Sequence, residues 1–228
     1  MITTKRFFAT FSIYLFISFY ACVMTLLRPI LTGNPMTIFL VWNLFLAWIP
    51  FVLSGIIYLV YINVKSRLIK CIVCIPCGIL WFLFFPNAPY MLTDFTHFSQ
   101  KTFYAGINDP ILVAAWYDFL MYSLFILTGF MLGYVSLYIL QNIVQKIFNF
   151  IWGWVFAFMV ILLSSYAIYL GRFIRLNSWD VWHNMQNVTE SVLSSLTFRN
   201  FCFTVLFSMF LFMFYLGFVC VVHLKQTE

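Results

Sequence analysis

Asp94 and His97 are the residues in this chain whose types and spacing first suggest chemistry. They stand three positions apart in the stretch 84–98, where two prolines, an asparagine and a tyrosine interrupt bulky apolar residues. Residues three apart share one face of a helix, so the carboxylate could orient the imidazole as a general base, or both could bind a divalent metal. The Asp-x-x-His spacing is common in proteins, and such a pair also occurs as a cap or a solvated face.

A second carboxylate, Asp118, lies inside an apolar run, some seven residues or about 10 Å from its start. An ionisable group at that depth costs roughly 2.5 to 3.5 kcal/mol on insertion scales, so it is predicted to face other helices and to have a partner. Arg172 and Arg175 are the predicted cations. One hypothesis is a metal held by Asp94, His97 and Asp118, with the two arginines clamping an anion. The alternative for Asp118 is a structural ion pair.

The first long loop is predicted to form a short amphipathic helix. Pro86 cannot continue the preceding helix, and Asn87 is placed to cap the short helix after it. Asn87 and Tyr90 are also predicted to bind ligand. A helical spacing from Tyr90 onward predicts two stripes, an apolar one with Met91, Phe95 and Phe98 and a polar one with Tyr90, Asp94, His97 and Lys101.

The second long loop has a similar pattern. Asn177-Ser178-Trp179-Asp180 resembles a capping box, and an apolar stripe at helical spacing comes after it: Val181, Met185, Val188 and Val192. Asn177 and Asp180 are predicted to bind ligand, although Asp180 is as well placed to satisfy the first amides of this helix. His183, three residues after Asp180, repeats the Asp-x-x-His spacing.

The elements that must position these residues are membrane helices. The chain has 228 residues, of which 64% are hydrophobic and 8% charged, and this excludes the ordinary soluble classes. A helix needs about twenty apolar residues to cross a bilayer. Six segments qualify, and together they predict an all-α membrane bundle forming a single domain over 1–228: 7–27, 36–62, 71–85, 111–140, 150–171 and 201–224.

Six crossings place both ends of the chain on one side of the bilayer. The cations of that side are Lys5, Arg6, Lys65, Arg67, Lys70, Lys146 and Lys225, and those of the other side are Arg28, Lys101, Arg172, Arg175 and Arg199. The positive-inside rule therefore predicts cytoplasmic termini and two long loops facing outward. Because the cations are scattered between apolar runs, the net charge of +6 does not indicate nucleic-acid binding.

Several motifs of this chain resemble those of a family of uncharacterised bacterial membrane proteins, domain of unknown function 1361. They are Pro86-Asn87-Ala88-Pro89-Tyr90, Thr93-Asp94 with His97, Trp116-Tyr117-Asp118, and Tyr169-Leu170-Gly171-Arg172-Phe173 running on to Arg175 and to Asn177-Ser178-Trp179-Asp180. The resemblance covers the chain from about residue 40 to about residue 185. It implies a multi-pass protein of the bacterial cell membrane and brings no established activity.

The sequence leaves three functions open. The first is an outward-facing polar pocket that binds or acts on a lipid or lipid-linked anionic substrate, with a divalent metal as a possible cofactor. The second is a transporter or flippase-like protein that uses Asp118 as a buried proton or cation site. The third is a membrane scaffold whose amphipathic helices stay exposed and dock a protein partner. Whether the chain is an enzyme is left open.

Overall fold

The computed structural model describes residues 4–97, 110–176 and 185–224. Six of its helices are long and apolar enough to cross a membrane, which confirms the predicted all-α bundle. Their bounds are α1 Thr4–Thr32, α2 Ile38–Asn63, α3 Arg67–Phe84, α5 Pro110–Ile147, α6 Phe150–Tyr169 and α8 Phe198–Leu224. The third helix begins before the predicted residue 71, which gives a short apolar run the length it needs.

Four short elements lie at the end of the bundle that carries the two long loops, which we call the long-loop end. They are α4 Asn87–Tyr90, a 3-10 helix Met91–His97, a π-helical turn Leu170–Ile174 and α7 Met185–Ser194. The predicted helix of the second loop is thus present over 185–194. Its predicted beginning, with Asn177, Asp180 and His183, lies outside the described residues.

Helix α5 is the central element of the bundle. Its membrane-crossing part is mostly buried, and α1, α2, α4, the 3-10 helix and α6 all pack against it. A helix that is apolar all round suits this position, because most of its surface meets other elements of the bundle. The other long helices each keep an exposed apolar face, as expected of helices in contact with lipid.

Two glycines of α5 let the short elements enter the bundle. A Cβ on Gly133 would lie 2.9 Å from the Cβ of Ala88, and a Cβ on Gly129 would meet the sulfur of Met91. Ala88 and Met91 are fully buried there. The spacing Gly129-x-x-x-Gly133 permits close helix approach in membranes, and here it seats α4 and the start of the 3-10 helix.

The stripes predicted for the first loop are wrong over its described part, because Met91–His97 is not an α-helix, while Phe98 and Lys101 lie outside the described residues. In a 3-10 helix the residues at i and i+3 eclipse one another. Met91 and Asp94 therefore both face inward and are buried, whereas Phe95, predicted to share a stripe with Met91, is exposed. The segment turns a carboxylate into the bundle next to an apolar side chain.

Asn87 also differs from its predicted capping role. Its Nδ2 donates a hydrogen bond of 2.9 Å to the carbonyl oxygen of Phe84, at the end of α3. The last carbonyls of a helix lack partners within the helix, so this bond stabilises the turn by which the chain leaves α3. Asn87 thus closes the preceding helix.

Candidate functional site

Asp118 forms a buried ion pair with Arg28, near the C-terminal end of α1. The Nε of Arg28 donates to Oδ1 at 2.7 Å and its second terminal nitrogen donates to Oδ2 at 2.9 Å. The side chains are 6% and 0% exposed. Arg28 also donates to the carbonyl oxygen of Pro35 in the loop between α1 and α2. This bidentate geometry is the strongest that a guanidinium and a carboxylate adopt.

The predicted cations for Asp118 were therefore wrong. Arg28 is its ion-pair partner in the described residues, while Arg172 lies against the first loop. The need of Asp118 for a buried partner was predicted correctly. The angular position of the α1 arginine could not be read from a one-dimensional pattern.

Asp94 is buried and is held by an asparagine of α2. The Nδ2 of Asn43 donates to Oδ2 of Asp94 at 2.8 Å, and the carboxylate also interacts electrostatically with His97 and Arg172. Only 1% of Asp94 is exposed. A carboxylate so far from water needs such hydrogen bonds and nearby positive charge. Asp94, His97 and Arg172 thus form one cluster of ionisable side chains.

His97 and Arg172 meet at the surface of the long-loop end. One terminal nitrogen of Arg172 lies 3.3 Å from Nε2 of His97, and the other donates to the hydroxyl of Thr96. Because a guanidinium has no acceptor, a hydrogen bond between the two side chains requires Nε2 of His97 to accept. The ring of His97 packs on Phe39, with ring centres 5.3 Å apart.

The π-helical turn at the end of α6 brings the arginines to this place. Arg175 has the left-handed backbone conformation, with φ at 66°, and its N–H donates to the carbonyl oxygen of Leu170. Left-handed conformation costs a residue with a Cβ about 1 kcal/mol or more. Strained residues and π-helical turns both occur preferentially at functional sites. A Cβ on Gly171 would lie 3.5 Å from the ring of Tyr90, so the turn lies close to the first loop.

Arg172, Arg175, His97, Tyr90 and Gly171 line an open cleft, which we call the cationic cleft. Arg175 is exposed and Arg172 is half-buried. The described lining of the cleft includes two guanidinium groups and no acidic side chain, and the buried Asp94 interacts electrostatically with Arg172. Guanidinium groups placed in this way recognise carboxylate and phosphate.

A partly open cavity of about 310 Å³ adjoins this cleft, and we call it the slot. Tyr90 and Gly171 line both, so the slot and the cationic cleft are neighbours. The slot lies among α2, α3, α4 and the end of α6, and its lining is mainly apolar with a few polar groups: Trp42, Asn43, Leu46, Leu83, Pro86, Asn87, Tyr90, Ala167, Ile168, Leu170, Gly171, Leu176 and Val188. This composition is typical of a small-molecule site.

Tyr122 lies near both the Arg28–Asp118 ion pair and the buried carboxylate of Asp94. Its hydroxyl interacts electrostatically with Arg28, Asp118 and Asp94, and its ring is 6.2 Å from that of Phe39. Tyr122 is 7% exposed. The ion pair of α1 and α5 is thus near the site, but Asp118 lines neither the slot nor the cationic cleft.

The structure brings together six of the nine predicted site residues around the slot and the cationic cleft: Asn87, Tyr90, Asp94, His97, Arg172 and Arg175. Asp118 is engaged with Arg28, and Asn177 and Asp180 lie outside the described residues. Within the described ranges, no three His, Cys, Asp or Glu side chains are grouped so that they could hold a metal ion. The metal set of Asp94, His97 and Asp118 is therefore not assembled, because Arg28 binds both oxygens of Asp118.

Sequence reasoning missed three residues of this region: Arg28, Asn43 and Tyr122. Each had a signal. Asn43 is a polar residue within an apolar run, and Arg28 comes directly after the run 7–27. Polar residues within or next to membrane segments usually face the interior of the bundle. Tyr122 had a weaker signal, its position four residues after Asp118 and hence on the same helix face.

Comparison with known proteins gives one match. The model of a family described as Protein of unknown function (DUF1361) matches residues 42–214. The matched range contains the slot and the cationic cleft, together with Asp118, and it leaves out Arg28. No curated protein and no solved structure matches the chain.

Proposed function

Because this chain belongs to the DUF1361 family, which has no known function, we propose its function from the geometry of the site. It is a multi-pass membrane protein that binds an anionic amphiphile, a lipid or lipid-linked molecule with a phosphate or carboxylate. The anion lies in the cationic cleft, the adjoining part of the ligand enters the slot, and its chains stay in the bilayer.

The observation that carries this proposal is the continuity of the two pockets through Tyr90 and Gly171. A cluster of arginines at a membrane surface attracts anions of many kinds. An apolar cavity opening next to that cluster favours an anion that brings apolar surface with it.

The size of the slot supports placing only one part of the ligand in it and leaving the acyl chains in the bilayer. A cavity of about 310 Å³ lies at the lower end of the range for ligand pockets. It holds a headgroup-sized part of a lipid and not its chains. Trp42 lines the slot and is 53% exposed, so the α2 side of the slot borders the surrounding bilayer, where the chains can remain.

The strain at Arg175 supports a binding role for its charge. A glycine would adopt φ of 66° at no cost, so an arginine at this position costs stability. The arginine contributes a guanidinium to the lining of the cationic cleft in return. Residues with a strained backbone cluster at functional sites, where the strain costs stability.

The alternative in which Asp118 carries a proton or cation is not favoured by the contacts of that residue. To take up either, Asp118 would have to give up two charge-assisted hydrogen bonds from Arg28. A scaffold with exposed polar stripes is disfavoured by the burial of Asp94.

We place the site on the outer face of a bacterial cell membrane. Arg28 is buried and neutralised by Asp118, so the five cations of the long-loop side become four that can act as orientation signals, against seven on the other side. The positive-inside rule then favours cytoplasmic termini.

Lipid binding by the purified protein in phosphatidylcholine nanodiscs tests the proposal. The probe is phosphatidylpropanol, an anionic lipid, measured by native mass spectrometry. Arg172→Gln is expected to weaken its binding about fivefold, since a cation near an anionic headgroup is worth about 1 kcal/mol. The matched control is Arg199→Gln, an exposed arginine at the long-loop end that lines neither pocket.

Arg175→Gly separates binding from folding. We expect it to weaken phosphatidylpropanol binding by a similar factor while raising the free energy of unfolding by up to about 1 kcal/mol, because glycine relieves the left-handed strain. Equal binding by the wild type, Arg172→Gln and Arg175→Gly would refute the proposed function. An equal loss of binding in Arg199→Gln would also refute it, because binding of the anionic lipid would then not depend on the cationic cleft.

A further inference from the structure

Asn43 stands between the buried carboxylate of Asp94 and the slot. Its Nδ2 donates to Asp94 at 2.8 Å, and its side chain is one of the few polar groups in the slot lining. An ionised carboxylate accepts hydrogen bonds and does not donate them, so the amide must turn its nitrogen toward Asp94. The carboxylate therefore fixes which way round the amide of Asn43 lies.

The carbonyl oxygen of this amide is available to a ligand. Among the described residues, Oδ1 of Asn43 has no hydrogen-bond partner, and no fully buried side-chain oxygen or nitrogen lacks one. Oδ1 is therefore accessible, and Asn43 is accessible where it lines the slot. An acceptor in a mainly apolar wall discriminates strongly, because a ligand without a donor leaves it unpaired after water is displaced.

The other polar groups of the slot suit the same kind of ligand. Asn87 and Tyr90 line it beside Asn43, and the indole of Trp42 forms part of its wall. None of the described residues that line the slot is charged, in contrast to the cationic cleft next to it. Uncharged donors and acceptors on an aromatic and aliphatic surface match a neutral group that carries hydroxyls.

We propose that the slot is selective for a hydroxyl-bearing group, a polyol or a sugar, attached to the anion bound in the cationic cleft, and that Asn43 is the residue that determines this selectivity. The proposal rests on the proposed function, since it takes the anion to be bound at Arg172 and Arg175. It adds the substrate class: a lipid phosphate esterified to a polyol or sugar. The volume of the slot equals that of about ten water molecules of roughly 30 Å³ each, which is enough room for a polyol or a sugar.

Asp94 acts in this proposal as a positioning residue. It touches Asn43 and not the slot, and it holds the amide in the orientation that offers Oδ1 to the ligand. Its charge also faces Arg172 and His97, so it lowers the positive potential of the cationic cleft. Removing that charge should affect all anionic lipids alike, whereas releasing the amide should affect only hydroxylated ones.

Two lipids that differ only in hydroxyl groups test the proposal. Phosphatidylglycerol and phosphatidylpropanol with the same acyl chains carry the same charge and the same three-carbon headgroup. In phosphatidylcholine nanodiscs, the wild type is expected to bind phosphatidylglycerol roughly three- to tenfold more tightly, the equivalent of one or two hydrogen bonds. Free glycerol phosphate at equal concentration is expected not to displace the lipid, and displacement would show that the ligand is a soluble phosphate.

Variants of Asn43 and Asp94 test whether the Asn43 amide causes the preference for phosphatidylglycerol. The double variant Asn43→Leu/Asp94→Leu leaves no unpaired buried charge and is expected to bring the affinity ratio of the two lipids to about one. Asp94→Asn should lower the ratio while both lipids bind at least as tightly as before, because asparagine lets the Asn43 amide turn over. Asn63→Leu, at the opposite end of α2, is the control and should keep the wild-type ratio.

The outcomes separate this inference from the proposed function. A wild-type ratio near one, with binding that still depends on Arg172 and Arg175, overturns the selectivity and leaves the proposed function standing. A ratio that persists in the folded double variant overturns the role of Asn43. If neither anionic lipid binds, the proposed function itself fails.

Discussion

Removing one partner of the Arg28–Asp118 ion pair should be among the most damaging single changes in this protein. Both oxygens of Asp118 accept from Arg28, and the carboxylate has no exposed surface. Arg28→Met leaves that charge buried without its cation, which typically costs about 3 to 5 kcal/mol of unfolding free energy. Asp118→Leu should cost less, because Arg28 keeps its bond to the carbonyl oxygen of Pro35 and its long side chain can reach toward the membrane surface.

The double variant Arg28→Met/Asp118→Leu gives the reasoning its sharpest test. Replacing both members of a buried pair by apolar side chains is often neutral or stabilising, so we expect it to unfold within about 1 kcal/mol of the wild type. The assay is a double-mutant cycle of unfolding free energies, measured by titrating sodium dodecyl sulfate into mixed micelles. Single variants that each lose under about 1 kcal/mol, or losses that simply add in the double variant, would refute it.

Two further predictions concern packing and topology. Gly133→Ala should lower the free energy of unfolding by about 1 to 3 kcal/mol in the same titration, because its Cβ would lie 2.9 Å from that of Ala88; Gly217→Ala, with nothing within 4 Å, is the control and should be neutral or slightly stabilising. In a cysteine-free background, thiol labelling of whole cells should modify Glu190→Cys from outside and Lys146→Cys only after permeabilisation. Labelling of both from one side would contradict the six-crossing topology.

The helices could be predicted from the sequence because burial in lipid demands long apolar runs with few alternatives. The partners of the polar residues could not. The position of Asp118 along its helix can be read from the sequence, but the helix that faces it cannot. The sequence therefore predicts Arg172 and Arg175, which lie at the correct end of the bundle but not on α1. Asn43 was overlooked because one polar residue hardly alters an apolar run of that length.

The first loop shows a different limit. Its residues were assigned an α-helical period, and the 3-10 geometry actually present exchanged the places of Asp94 and Phe95 relative to the bundle. Ala88 and Met91 pack on Gly133 and Gly129, some forty positions further along the chain, and no local pattern reveals these contacts. Tertiary packing of this kind overrides local periodicity.

Because of the π-helical turn Leu170–Ile174, the position of Arg172 in the cationic cleft depends on the number of residues in this turn. A π turn accommodates one residue more than an α turn, and each residue of an α-helix advances the side-chain direction by about 100°. Deleting a single residue there would let α6 continue as a regular helix and would swing the guanidinium of Arg172 away from Thr96. A one-codon deletion could thus abolish the anion site while leaving every membrane-crossing helix in place.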